Sequence, residues 1–393
     1  MPQAKTCPNC LTGTLEAFHH VDRVPVHSVL LMPTREVAVG YPKGDIALAW
    51  CRACGFVSNT LFDARVHEYS MQYEETQGFS ATFRAFHERL ADSLIEKYDL
   101  HGKKVVEIGC GKGEFLSLLC ERGGNEGIGF DPAFVPDRNP ARPDLAIRFV
   151  QDFYSEKYSD VKADFFCCKM TLEHIPDTAH FIRTVRAAVG DDSETRVFFQ
   201  VPDLLRVLKD VAFWDIYYEH CSYFCAGSLA RVFREAGFTV LETWTDYDDQ
   251  YLMITAKPAG AVDSPSAIER EAPSLVARCI EEFVSKQVRT VEYWKEQLER
   301  MTTSGKRAVV WGSGSKGVAF LTGLGLKNTI EYVVDINPYR QGKFMAGTGQ
   351  EIVAPEFLKS YRPDVAIAMN PVYQSEIQAD LTRMGLDTTV MAV

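Results

Sequence analysis

The sequence predicts an α/β protein in which two parallel-sheet domains follow a cysteine-rich N-terminal module. Three observations lead there. Apolar strands alternate with helical stretches from Tyr69 to about Ala256, and again from Arg307 to the C-terminus, the alternation that parallel sheets produce. The first strand of each stretch runs directly into a glycine-rich loop, Gly109-Cys-Gly-Lys-Gly113 and Gly312-Ser-Gly314-Ser-Lys-Gly317. Two Cys-x-x-Cys pairs bracket the loop-rich segment that ends near Phe62.

At 393 residues the chain exceeds what one hydrophobic core serves, so two or three domains are expected. A hydrophobic share of 46% and a charged share of 24% are ordinary for a soluble globular protein. The formal net charge of -11, with no compensating Lys/Arg-rich run, argues against nucleic acid as a partner. No apolar stretch resembles a signal peptide or could span a bilayer, so the expectation is a cytoplasmic protein with no membrane partner. In that compartment thiols stay reduced, and paired cysteines point to metal before disulfide. The expected divisions are a metal-binding module over 1–68, a nucleoside-binding domain over 69–258, a linker and long helix over 259–304, and a second α/β domain over 305–393. Lys257–Pro273 has linker composition, and the apolar spacing from Ser274 to Met301 predicts one long helix.

Cys7-Pro-Asn-Cys10 and Cys51-Arg-Ala-Cys54-Gly55 are matched knuckles. This spacing lets both thiolates of a pair face one cation, and two pairs make a closed four-sulfur shell, a structural zinc (Zn2+) site. Between them, Val24–Met32 and Ile46–Trp50 are strand-like. The remaining cysteines, Cys110, Cys120, Cys167, Cys168, Cys221, Cys225 and Cys279, lack such pairing and are assigned to packing.

The strand Lys104–Ile108 leads into Gly109-x-Gly111-x-Gly113, with Glu107 two residues before the first glycine. A dinucleotide fingerprint would place its third glycine one position later, where Glu114 stands, and a carboxylate at that helix start repels pyrophosphate. S-adenosylmethionine (S-adenosyl-L-methionine) has an adenine, a ribose and an amino acid end but no phosphate, and fits this loop. Asp131, at the tip of the second strand, is expected to accept both ribose hydroxyls. Asp152 would accept the adenine amino proton, and Phe153 would pack on the adenine ring.

On these residues, 104–256 resemble a class I methyltransferase. The whole chain, knuckles included, resembles the sugar C-methyltransferases that act on nucleotide-linked keto-deoxysugars. The resemblance implies a zinc module, a central Rossmann-like methyltransferase fold and a C-terminal second Rossmann-like domain, with a nucleotide sugar as small-molecule substrate. It also implies that the Tyr-x-Glu-His motif formed by Tyr217, Glu219 and His220 lines the sugar pocket and supplies the base, and that Tyr73 belongs to a lid. Two stretches depart from the family pattern: Glu74-Glu-Thr-Gln77, where small hydroxyl residues are usual, and Asp248-Asp-Gln-Tyr251, where paired glycines are usual. His174, leaving the fourth strand, is expected near the reacting methyl. Carbon methylation needs an enolate, so His220 is the expected base, Glu219 its orienting carboxylate, and Tyr217 or His174 the donor to the enolate oxygen.

The second loop has true Gly-x-Gly-x-x-Gly spacing, and a following strand ends at Asp335. By sequence this is a dinucleotide fingerprint; the resemblance implies instead that the loop takes the substrate's diphosphate. Three other readings stay open: methylation of a hydroxyl or another small metabolite, an NAD(P)-linked activity of this domain, and a non-catalytic scaffold.

Overall fold

The computed structural model describes residues 5–66, 72–139, 144–261, 263–326 and 329–393. The N-terminal part forms β1 (Leu15–Pro25), α1 (Arg35–Gly40), β2 (Lys43–Cys51) and β3 (Val57–Asn59). The central part continues with α2 (Ala81–Tyr98), β4 (Lys104–Ile108), α3 (Glu114–Gly123), β5 (Glu126–Phe130), β6 (Ile147–Val150) and β7 (Phe165–Lys169). It is completed by α4 (Thr178–Val189), β8 (Arg196–Pro202), α5 (Leu204–Lys209), β9 (Ser222–Tyr223), α6 (Ala226–Glu235), β10 (Phe238–Asp246) and β11 (Tyr251–Pro258). Helix α7 (Ala267–Thr303) leads to β12 (Ala308–Trp311), α8 (Ser315–Leu324), β13 (Tyr332–Val334), β14 (Glu351–Val353), α9 (Leu358–Tyr361), β15 (Val365–Ala368), α10 (Gln374–Arg383) and β16 (Thr389–Ala392).

The central sheet has the order β10-β11-β8-β7-β4-β5-β6, with β11 antiparallel to its neighbours β10 and β8 and the other strands all running one way. The chain enters at β4 and winds outward first through β5 and β6, then through β7 and β8. The winding reverses between β4 and β7, and open α/β sheets bind ligands at the strand ends beside such a reversal. Alternate side chains feed two cores: Val106, Ile108, Phe166, Cys168 and Phe199 on one face, Val105, Phe165, Cys167 and Phe198 on the other. Burial on both faces explains why these strands are continuously apolar. The C-terminal sheet, β14-β13-β12-β15-β16, is all parallel.

Three expectations shift. The strand near Val24 is Leu15–Pro25, and residues beyond Pro25 leave the ladder, with isolated bridges from Leu30 to Tyr73 and from Met32 to Phe344. The long helix begins at Ala267, inside the expected linker. Ser266 caps it with Glu269 in a reciprocal capping box, and this start carries the helix through Pro273. Finally, β9 leaves the central domain and pairs with β3, so the N-terminal sheet is β1-β2-β3-β9. The expected boundary at residue 68 is therefore crossed by strand pairing.

Helices α6 and α7 cross at Gly227, where an added Cβ would meet the Ile268 carbonyl oxygen at 2.3 Å and the Ala272 Cβ at 2.5 Å. Gly227→Ala is expected to destabilise the protein by about 1–3 kcal/mol through overpacking. Chemical denaturation would show this as a lower midpoint, and an unchanged midpoint would mean the crossing relaxes freely.

Candidate active site

One cleft of about 640 Å³ runs over the C-terminal ends of the central strands and is closed on its far side by the C-terminal domain. At its floor, Gly109, Gly111 and Gly113 all have positive φ, at 70°, 54° and 80°. A Cβ on Gly109 would lie 1.9 Å from Thr171 Oγ1, so this position admits only glycine. Asp131 accepts the Gly111 N–H at 2.8 Å and the Ala133 N–H at 2.7 Å, which fixes its carboxylate at the tip of β5. Glu107 is buried, its Oε2 has no hydrogen-bond partner, and burial raises its pKa to about 7. Lys112 is no phosphate clamp: its ammonium donates to the carbonyls of Tyr73 and Ala133, both at 2.8 Å. Phe153 is 57% exposed in the cleft wall, and beside it Asp152 accepts from Tyr158 Oη at 2.6 Å and Lys157 at 2.9 Å. Those two donors hold Asp152 down to about 2. Acceptor carboxylates, an open ring and a glycine cradle match a nucleoside that carries a sulfonium and a zwitterionic amino acid end.

Tyr73 lies beneath the N-terminal segment and meets the His27 ring edge-on at 6.2 Å; the rest of the expected lid, Tyr69–Met71, falls outside the described residues. Glu75 points at the glycine loop, and burial raises its pKa to about 7. The two stretches that depart from the family pattern join the domains. Glu74 is buried against Arg138 and accepts from Asn337 Nδ2 at 2.9 Å, while Arg340 donates to the Glu74 carbonyl. Gln77 accepts from Tyr373 Oη at 2.9 Å. Gln250 and Asn370 exchange amide hydrogen bonds at 2.8 and 2.9 Å, and Lys316 donates to Gln250 at 2.8 Å.

The segment from Phe213 to Phe224 spans all three parts of the molecule. Phe213 stacks on Phe320 of α8, and Ser222–Tyr223 completes the N-terminal sheet. Between them, Tyr217 Oη and His220 Nε2 are 2.9 Å apart. The His174 ring lies edge-on to His220 at 4.9 Å, and its Nδ1 is 3.0 Å from the Glu219 carbonyl. Burial pushes His174 well below its ordinary range.

One expected role is corrected here. The side chain of Glu219, expected to orient His220, is bonded elsewhere. Its carboxylate turns to the N-terminal part, accepting the Ser28 N–H at 2.8 Å and the Ser28 hydroxyl at 2.8 and 2.9 Å, with His27 Nδ1 at 3.6 Å. The carboxylate that faces His220 is Glu173, whose Oε1 lies 4.0 Å from Nε2. Glu173 is 1% exposed, neither oxygen has a hydrogen-bond partner, and burial raises its pKa to about 8. The sequence shows Glu173 only as a neighbour of His174, and nothing in its spacing marks it.

In the C-terminal domain, Asp335 accepts the Ser313 N–H at 2.9 Å and the Asn337 N–H at 2.8 Å, and also the Ser313 hydroxyl. Asp335 thus repeats the two backbone contacts of Asp131 and differs from it by the Ser313 hydroxyl. Gly314 faces the cleft with open space around its Cα, beside Ser315 and Lys316.

At the N-terminus, all four thiols are buried and lie together: Cys7 and Cys54 sulfurs are 3.8 Å apart, those of Cys10 and Cys51 3.7 Å. Four sulfurs around a tetrahedral zinc would be separated by about 3.8 Å. The cluster is compatible with a zinc module.

Two family descriptions match the chain: "Methyltransferase domain" over residues 80–243 and "C-methyltransferase C-terminal domain" over 252–390. The C-methyltransferase NovU of Streptomyces niveus is 28% identical over 307 residues, covering 74% of this chain and 71% of that protein. The ubiquinone biosynthesis O-methyltransferase of Salmonella paratyphi A is 31% identical over 106 residues, 25% of this chain and 43% of that protein. Among solved structures, magnesium protoporphyrin IX methyltransferase (ChlM) from Synechocystis PCC 6803 aligns at 17% identity with a TM-score of 0.37, covering 47% of this chain and 90% of that one. Among the described residues no helix is long and apolar enough to cross a membrane.

The isolation of Glu173 has a measurable consequence. Its folded pKa of about 8 lies above that of an unfolded glutamate. The stability this burial allows is therefore fully present at acid pH, and is lost as pH rises through about 8. Thermal midpoints of Glu173→Gln, which cannot ionise, should gain on the parent as pH increases from 5 toward 9 (roughly the window set by these two pKa values). A pH-independent difference would mean that the carboxylate has a partner in solution.

Proposed function

Because this chain belongs to the S-adenosylmethionine-dependent C-methyltransferase family, we propose that it methylates a carbon next to the ketone of a nucleotide-linked keto-deoxysugar, through an enolate. The observation that carries this reading is the Tyr217–His220 pair beside unpartnered Glu173, at the strand ends next to the glycine loop. The cofactor, when bound, supplies an electrophilic methyl that passes to carbon as its bond to the sulfonium sulfur breaks. His220 Nε2 takes the α-proton, and the electron pair of the C–H bond becomes the enolate. Tyr217, released from Nε2, donates to the enolate oxygen. Glu173 faces the imidazole at 4.0 Å and stabilises the imidazolium by charge where its carboxyl is ionised, above about pH 8. Glu219 acts on the position of this pair, since its backbone carbonyl bonds His174 and its carboxylate is anchored on Ser28. The sugar's diphosphate would lie against Gly314 and Ser315 at the start of α8, which line the same cleft.

Zinc, in this reading, has no part in the chemistry. Bound by Cys7, Cys10, Cys51 and Cys54, it would lock the knuckles that carry Asn9 to the Ser228 carbonyl and Pro8 to the Ala179 N–H. Metal analysis of protein purified without chelator should find one zinc per chain (about 1:1 for a closed four-thiolate shell). Cys7→Ser should lose it and lower the thermal midpoint. Stoichiometric absence of metal in a folded, active preparation would rule the site out.

For the base, His220→Asn should lower turnover about 10²–10⁴-fold. Affinity for S-adenosylhomocysteine should stay near that of the parent. The same variant should stop exchange of the substrate α-hydrogen into deuterated water. Turnover that survives would make His220 a packing residue and favour an acceptor that needs no carbanion.

A further inference from the structure

The strand ends act as a ruler along the cleft. Across the sheet from β6 to β7 the chain presents Asp152 and Phe153, then Asp131, then the glycine loop, then Lys169. If the first three meet adenine, ribose and the thioether, the next position belongs to the amino acid end, with its carboxylate and ammonium.

Lys169 is the last residue of β7, and its neighbour Cys168 pairs with Ile108, immediately before Gly109. The side chain is buried yet lines the cleft. Its Nζ is 2.9 Å from His87 Nε2 and 3.7 Å from the centre of the Phe115 ring. Burial holds His87 down to about 2, so this imidazole is neutral and accepts from the ammonium. Among the described residues, Lys169 has no ion-pair partner; Glu107 and Glu114 act on it only at longer range.

A buried ammonium compensated by one neutral ring nitrogen and one aromatic face lacks an anion. The other cations of the cleft are occupied. Lys112 is bound to two carbonyls, and Arg206 and Lys316 both pair with Asp215.

We propose that Lys169 binds the α-carboxylate of the cofactor's methionine end, with His87 as the positioning residue that keeps Nζ aimed into the cleft. The proposal rests on cofactor binding alone and stands whichever acceptor is methylated.

The test compares S-adenosylhomocysteine with its decarboxylated analogue, which keeps adenosine, sulfur and amine, by calorimetry on the full chain. The parent should prefer S-adenosylhomocysteine by about 10- to 100-fold, the range of a charge-assisted hydrogen bond. Lys169→Met should bring the two affinities within about threefold of each other, under 1 kcal/mol, by weakening only the carboxylate-bearing ligand. Lys169→Arg should retain a preference. The proposal fails if the parent does not distinguish the two ligands, a result that needs no variant to fold. It also fails if Lys169→Met keeps the full ratio or weakens both ligands equally. Loss of sugar methylation with this ratio intact would instead count against the acceptor reading.

Discussion

The buried pair of Glu219 and Ser28 is the contact on which the geometry of the cleft depends. An ionised carboxylate is costly to bury unless its oxygens are satisfied, and here one serine supplies both an N–H and a hydroxyl across most of the N-terminal half of the chain. The Ser28 hydroxyl also meets Ser315 Oγ at 2.7 Å, so one side chain touches the central and C-terminal domains together. With β9 paired to β3 a few residues on, the segment carrying Tyr217 and His220 has little freedom to move relative to the N-terminal sheet. The cysteine cluster lies just before β3, and its first knuckle bonds the Ala179 N–H of α4 through the Pro8 carbonyl and the Ser228 carbonyl of α6 through Asn9. The N-terminal module thus holds in place the segment that carries Tyr217 and His220.

The electrostatics of the cleft suit the ligand class. Glu75, Glu107 and Glu173 are each raised by burial, to about 7, 7 and 8, and Asp131 is raised as well. Such a wall is costly to ionise when empty. A cationic sulfonium would offset part of that cost. The same arrangement disfavours a pyrophosphate near the first glycine loop, where Glu114 begins α3. The second loop differs in that Asp335 also accepts the Ser313 hydroxyl, and a side chain at Gly314 would meet open space.

The unusual stretches 74–77 and 248–251 have one explanation. Both carry side chains across the cleft to the C-terminal domain: Glu74 to Asn337, Gln77 to Tyr373, Gln250 to Asn370 and Lys316. Three consecutive residues, Tyr247, Asp248 and Asp249, adopt positive φ to deliver Gln250. That backbone is costly for non-glycine residues, and the buried amide exchange with Asn370 offsets it. Small residues at these places would leave the two domains less firmly joined.

The sequence by itself determined the order of elements, the glycine loops and the paired cysteines. Each of these is written in local spacing: strand into loop into helix, or thiol two residues from thiol. Local spacing also located Asp131, and the family resemblance marked the Tyr-x-Glu-His motif. The tertiary structure alone decided which groups face each other. Glu219 adjoins His220 in sequence, yet neighbouring residues in an irregular segment point in different directions, and Ser28 claims its carboxylate. Glu173 reaches His220 only because Cys221 N–H bonds the Glu173 carbonyl at 3.0 Å, bringing the end of one strand against the segment after another. Contacts made across such separations leave no periodic trace in the residues that make them. The partners of a buried charge are therefore decided by the packed fold.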